Sequence, residues 1–326
     1  MEKIRKLKEI FKKEKIDGYI IPKNDEFFGE YIPDHNDRLH YISNFTGSYG
    51  FSLILRDKNY LFVDGRYTLQ ANKQSGKFFK IFTFPKMMPK DIFKNKSLLI
   101  GFDPKLFTKR TLSIFFNNNN LKFKQIDNNL IDKIWKRKIK SNNKKFFSLP
   151  NYSVGNSSKT KINKIISNLR KTGANYQFIS ASENNAWLLN IRGEDTKYAP
   201  IPNSYILVDN YKKVKFFCDL KKINFVLKKR LNKIEFIDIR LVDKILSKIN
   251  EKKFIIDKNT CSVFFENIIE KNNQIINEQD PIYFLKAIKD KIEIKNIEKA
   301  HVYDGVALTK YLFWLKKISI RKKLLK

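Results

Sequence analysis

The stretch YISNFTGSYGFSLILRDKNYLFVDGRY, Tyr41 to Tyr67, decides how the chain is read. Two apolar runs, Phe51 to Leu55 and Tyr60 to Val63, stand either side of Arg56-Asp57-Lys58-Asn59. Short apolar runs divided by a polar tetrapeptide predict two strands joined by a hairpin turn. Gly47 and Gly50 flank Ser48-Tyr49 before the first strand, as a tight backbone turn requires. The second strand ends on Asp64-Gly65-Arg66-Tyr67, so an arginine is presented from a rigid pair of strands.

Outward from the hairpin, Ile4, Leu7, Ile10 and Phe11 share one face of a predicted first helix. Tyr19-Ile20-Ile21 follows the Asp17-Gly18 turn as a strand, and the polar Asn24 to Leu39 reads as a loop with a short helix. Downstream, Thr68 to Lys73 reads as helix, Lys77 to Phe84 and Ser97 to Phe102 as strands. Phe107 to Phe116 reads as helix and Leu121 to Ile126 as strand. Interleaved helices and strands make this half α/β.

The second half echoes the first in order. Ile16-Asp17-Gly18-Tyr19 finds Ala174-Asn175-Tyr176-Gln177, and Ser43-Asn44-Phe45-Thr46-Gly47 finds Leu189-Asn190-Ile191-Arg192-Gly193. Leu61-Phe62-Val63-Asp64 finds Phe216-Phe217-Cys218-Asp219, and Leu99 to Asp103 finds Phe254 to Asp257. Ser113 to Phe116 is matched with Ser262 to Phe265. A repeat this long predicts two similar α/β domains rather than a solenoid, whose period is about 20–50 residues. The expected division is 1–136, a polar linker 137–157 and a second domain 158–290; Ser157 or Ser158 caps the helix that follows the linker. From Lys291 a long helix carries Ile294, Ile297, His301, Leu308, Tyr311, Leu312 and Leu315 along one apolar face. Residues 291–326 are expected to open a further, truncated domain.

Length and composition bound the function. At 326 residues, 42% hydrophobic, the chain holds enough apolar mass for two cores and is not a disordered class. No run approaches the roughly 18 apolar residues of a membrane span, and the N-terminus lacks a signal-peptide core. The net charge of +33 points either to a nucleic-acid partner or to coding bias. The lysines are scattered rather than gathered on one face, which favours coding bias. Cys218 and Cys261 have no Cys or His at metal spacing, and two lone cysteines fit a reducing cytoplasm.

Among chemical motifs, His35 and His40 stand five apart and do not share a helix face, which argues against a metal pair. His301 reads as a packed or hydrogen-bonded histidine, and Gly47 to Gly50 lacks the Lys-Ser/Thr of a phosphate loop. Arg66 is the side chain of most interest. Its guanidinium can clamp a carboxylate or carbonyl with paired donors, or serve as the structural partner of Asp64. The second repeat keeps Asp219 but has Leu220-Lys221-Lys222 in place of Gly-Arg-Tyr.

These residues carry a resemblance. Tyr31-Ile32-Pro33, Arg38, Tyr41 to Ser48 and Asp64 to Tyr67 resemble the N-terminal domain of cytosolic Xaa-Pro aminopeptidases (aminopeptidase P). Ala186 to Gly193, Pro200 and Tyr205 resemble the second domain of that family. Lys299-Ala300-His301, Asp304 to Leu308 and Trp314-Leu315 resemble the first helix of its catalytic domain. The resemblance implies two creatinase-like α/β domains followed by a pita-bread metallopeptidase domain. It implies two divalent metals, manganese by expectation, in the complete enzyme. Their two Asp, one His and two Glu ligands would lie beyond Lys326, so no catalytic or metal residue is carried onto this chain. Arg66 matches a peptide-binding arginine of the family and is the expected substrate contact. The expected function is the non-catalytic N-terminal portion of a cytoplasmic, homodimeric enzyme acting on peptides with proline second. The alternative is a stand-alone binding or regulatory protein of the same fold.

Overall fold

The structure, a computed structural model, describes residues 2–93, 97–117, 120–137 and 142–322. In the first half, β1 (Gly18–Pro22), β2 (Gly50–Leu55), β3 (Asn59–Asp64), β4 (Lys80–Phe84), β5 (Leu98–Phe102) and β6 (Leu121–Gln125) form one sheet. Its order is β4-β3-β2-β1-β5-β6. The hairpin expected between β2 and β3 closes through Leu55 N–H on Lys58 O at 2.8 Å. Only β2 runs against its neighbours; the pairs β3–β4, β1–β5 and β5–β6 are parallel. Side chains alternate across the sheet. Tyr19 and Ile21 join Ile4, Leu7 and Phe11 of the helix Glu2–Glu14 on one face, while Ile20 joins Phe51 and Phe115 on the other. A sheet covered on both faces explains why its central strands read as unbroken apolar runs.

The expected strand from Lys77 begins only at Lys80. Phe78 and Phe79 instead bond back to Ser75 O, closing the helix Thr68–Ser75 and burying Phe79 in the core.

The second half opens with the short β7 (Phe147–Ser148). Its sheet holds β8 (Tyr176–Ile179), while β9 (Ile191–Arg192) pairs with β7. The sheet is completed by β10 (Tyr205–Asp209), β11 (Val214–Cys218), β12 (Ile234–Asp238), β13 (Lys253–Ile256) and β14 (Gln274–Asn277), in the order β12-β11-β10-β8-β13-β14. Position for position this is the first sheet's topology, with the same single antiparallel member. The echoes have physical causes. Asn44 and Asn190 both end helices in the left-handed conformation, at φ 64° and 55°. Asp103 and Asp257 are both buried just beyond β5 and β13, each accepting a backbone N–H two residues on. The Ser113–Ser262 match is out of register. Ser262 caps the helix Val263–Glu270, and the cap of the matching helix Lys109–Phe116 is Thr108.

Part of the expected linker belongs to the second core. Phe146 is fully buried there and donates its N–H to Lys222 O at 2.9 Å, while residues 138–141 lie outside the described residues. Ser157 caps the helix Ser158–Thr172, as anticipated. The halves dock through backbone bonds from Val263 N–H to Phe107 O (2.8 Å) and Phe264 N–H to Pro104 O (3.0 Å). Tyr205 adds its ring on Phe27 and its hydroxyl on Glu26 O at 2.8 Å.

The helix Lys291–Lys322 is anchored at its start. Asp290 accepts from Ile292 and Glu293 N–H, Glu293 accepts from Asp290 N–H, and Asn296 donates to Tyr152 O. Beyond that turn its apolar side chains are exposed, and they are not confined to the expected single face. At about 100° per residue, Val302, Val306 and Phe313 lie opposite Leu308 and Leu315, and Tyr303 and Trp314 lie opposite Ile294. His301, expected to be packed or hydrogen-bonded, is exposed on this helix.

Candidate functional site

Arg66 stands where β3 ends. Asp64 caps the turn Gly65–Tyr67 by accepting Arg66 N–H at 2.9 Å. The guanidinium folds back onto the same carboxylate, with Nη2–Oδ2 at 2.6 Å and Nε–Oδ1 at 3.2 Å. That hydrogen bonding lowers the Asp64 carboxyl from its ordinary value. The Arg66 side chain remains 73% exposed, its charged end 5.3 Å from the Tyr67 ring. Tyr67 shares a 2.7 Å hydroxyl contact with Ser48 on the Gly47–Gly50 turn. The glycines there answer to close approach: a Cβ on Gly47 would meet the Phe45 ring at 2.2 Å, and one on Gly50 would meet Phe62 O at 2.7 Å.

The clasp on Asp64 is a local product of Asp-x-Arg at a strand end. Asp238-Ile239-Arg240 builds the same one after β12, with Nη2–Oδ2 at 2.7 Å and Nε–Oδ1 at 2.9 Å. Asp219 caps the equivalent turn after β11 with no arginine at all. The aspartate therefore serves the turn, and the arginine adds an exposed charge.

Arg66 lines a cavity of about 370 Å³ with Asn24, Tyr49, Phe51, Thr111 and Phe115, and Lys221, two residues after Asp219, lines one of about 350 Å³ in the second half. The Arg66 cavity lies at the carboxyl ends of the parallel strands β1, β3 and β5, the edge where open α/β sheets bind ligands. Burial raises the Tyr49 hydroxyl pKa, with the Asp64 charge adding to it. Asn24 donates Nδ2–H to Leu106 O at 3.0 Å, which leaves its Oδ1 buried without a partner. Sequence reasoning did not find Asn24, Thr111 or Phe115; nothing in their local sequence marks them.

Other candidates do not assemble. His35 sits in the turn Asp34–Asn36, and His40 is exposed on the helix Arg38–Ser43. Among the described residues no group of three His, Cys, Asp or Glu could hold a metal ion. Cys218 and Cys261 are free and buried, and burial pushes the Cys218 thiol up to about 12. Arg38 is a buried structural residue, paired with Asp132 through two 2.9 Å bonds and with Glu26 at 2.8 Å. No helix among the described residues is long and apolar enough to cross a membrane.

Two mixed sheets of one topology, each with a strand-end aspartate in the same place, define a tandem of one domain type. The chain belongs to the creatinase/prolidase N-terminal domain family, whose models match residues 3–134 and 137–293. More particularly, it is a relative of the Xaa-Pro aminopeptidases. It is 31% identical to Xaa-Pro aminopeptidase 1 of Dictyostelium discoideum, over 98% of this chain and 54% of that protein. It is 29% identical to Xaa-Pro aminopeptidase ApepP of Drosophila melanogaster, over 92% of this chain and 51% of that protein. The chain spans about half the length of the curated relatives it matches. The fold is that of the X-prolyl aminopeptidase of Caenorhabditis elegans, described as a cytosolic enzyme with a di-nuclear active site. The TM-score is 0.90 and the identity 24%, over 98% of this chain and 56% of that one.

Proposed function

We propose that these residues form the non-catalytic N-terminal portion of a Xaa-Pro aminopeptidase and contribute substrate binding and assembly. The whole enzyme releases an N-terminal residue that precedes proline. The observation that carries this reading is the match to such enzymes along 98% of the chain but only about half of their length. The helix Lys291–Lys322 supports it, because exposed apolar side chains on more than one face, among them Ile294, Leu308, Val306 and Phe313, are suited to contacts with a larger domain. In this reading 1–136 and 158–290 are the two domains, 137–157 joins them, and 291–326 begins the catalytic domain. The two divalent metals, manganese by preference, belong to that further domain and supply the activated water. Arg66 is a peptide contact. The setting is the cytoplasm, and the complete enzyme is a homodimer.

The test is direct. The purified chain, given manganese and an Xaa-Pro-Pro peptide, is expected to release no N-terminal residue. Metal-dependent release by this chain alone overturns the reading.

A further inference from the structure

The two sheets share a topology, and each has a cavity at this edge: that of the second half, about 350 Å³, is lined by Asn203, Asp219 and Lys221, while that of the first half also reaches Phe51, the equivalent of Tyr205. Counting along the paired strands, Phe51 faces Phe62 in β3 and Tyr205 faces Phe217 in β11, each two residues before the strand-end aspartate. Phe51 and Tyr205 are thus equivalent. The caps Thr108 and Ser262 accept from Thr111 N–H and Phe265 N–H, which makes Thr111 and Phe265 equivalent as well. In the second half the Phe265 ring lies 4.9 Å from Tyr205 and fills the space. In the first half the smaller Thr111 leaves that space open, and it becomes part of the cavity beside Arg66.

The hollow has a defined chemistry. One wall is aromatic, with Phe51 and Phe115 stacked at 4.7 Å and Tyr49 half-exposed, and Lys23, Glu30 and Arg66 add charge to the lining. Within the wall sits one buried acceptor that no protein donor reaches, Asn24 Oδ1. A buried, unsatisfied acceptor is costly, and a ligand donor removes the cost. An apolar pocket with a few placed polar atoms is the usual form of a small-ligand site.

We infer that this hollow takes an apolar side chain of a bound peptide, while the same residue donates its backbone N–H to Asn24 Oδ1. The inference rests on the reading that peptide passes Arg66. It adds a specificity pocket and an anchoring residue, neither of which was legible from the arginine. Size selection falls to Thr111, Phe51 and Phe115, and register along the peptide falls to Asn24.

The probe is N-acetyl-phenylalanine methylamide, titrated into the full chain and followed by NMR shifts. Two analogues accompany it: the glycine compound, and a phenylalanine compound N-methylated at its own amide. The phenylalanine probe is expected to bind at least tenfold more tightly than either analogue. Thr111→Phe is expected to abolish its binding. Asn24→Asp, which keeps an acceptor, retains binding, and Asn24→Leu loses it tenfold or more. Equal affinity for all three compounds, or an unchanged Kd in Thr111→Phe, overturns the inference. The comparison of compounds on the unaltered chain decides the matter even where a variant fails to fold. The reading of Arg66 is judged separately, by hydrolysis in an enzyme completed with a relative's catalytic domain. Loss of hydrolysis on Arg66→Ala with no selectivity among the probes would retain that reading and reject the pocket.

Discussion

The same sheet edge has two fates in this molecule. In the second half its centre is filled: Tyr205 is wrapped by Phe27, Phe178 and Phe265, its hydroxyl holds the loop at Glu26 of the first half, and a cavity of about 350 Å³ lies to the side at Asp219 and Lys221. In the first half Phe51 is buried by Phe62, Phe115 and Phe116 but has no hydroxyl to spend on a neighbouring domain, and Thr111 leaves a hollow beside Arg66. A duplicated fold offers two equivalent crevices. Both border the joint between the halves, since Phe107 O and Pro104 O accept from Val263 and Phe264 N–H, and they differ where Phe51 and Thr111 stand in place of Tyr205 and Phe265.

The largest effect should come from reopening the joint. Phe265→Ala is expected to destabilise the chain by about 3–5 kcal/mol, the range for deleting a buried phenylalanine. A denaturant melt checks it; a loss under about 1 kcal/mol would mean that the ring is not the filler proposed here.

Next in size is a pH effect in the second half. Burial raises the Asp280 carboxyl from 3.8 to about 6, although it accepts from Gln177, Asn184 and Ile282 N–H. The folded state therefore holds this proton more tightly than the unfolded chain. Its stabilising share is full below 3.8 and is lost as pH rises through about 6, by up to roughly 3 kcal/mol. Asp25 of the first half, also raised to about 6 by burial, acts in the same direction. Melts between pH 4 and 7, compared with Asp280→Asn, should show that part of the slope vanish; an identical slope would discount Asp280.

The helix-ending asparagines sharpen the comparison further. Asn44→Ala is expected to cost about 1 kcal/mol, because alanine lacks the short polar side chain that lets asparagine tolerate the left-handed region. Asn190→Ala should cost about 2 kcal/mol or more. Asn190 also accepts from the buried Lys161 ammonium at 2.6 Å and donates to Asn156 O at 3.0 Å. Equal losses at the two sites would show that only the backbone matters.

The smallest effect is expected at Arg66. Arg66→Ala should stay within about 0.5 kcal/mol in a melt, because Asp64 still caps the turn through the backbone N–H. In a completed enzyme it should raise KM more than it lowers kcat. A large drop in Tm with unchanged kinetics would make Arg66 only the partner of Asp64.

The sequence carried much of this. The hairpin at Phe51 to Val63 was legible because its apolar runs are short and its turn polar. The repeat was legible because left-handed asparagines and buried strand-end aspartates leave a mark in one dimension. Less legible was whatever depends on register between elements. Matching Ser113 with Ser262 aligned letters rather than caps, and so hid the equivalence of Thr111 and Phe265 that separates the two crevices. Following one stripe along the last helix likewise passed over Val302, Val306 and Phe313 on its far side. Asn24 carries no local signal, since its importance lies in a partner its oxygen lacks.

The anchoring of that last helix has a mechanical consequence. Its 32 residues make a rod of about 48 Å at 1.5 Å per residue, so a tilt of about 10° at the base sweeps the tip through about 8 Å. The fulcrum is the single turn where Asp290 and Glu293 exchange hydrogen bonds and Asn296 reaches Tyr152. Aim at the far end is thus set by a few polar contacts at the near end, and a loosened Asp290 would act there as a long pointer with a worn pivot.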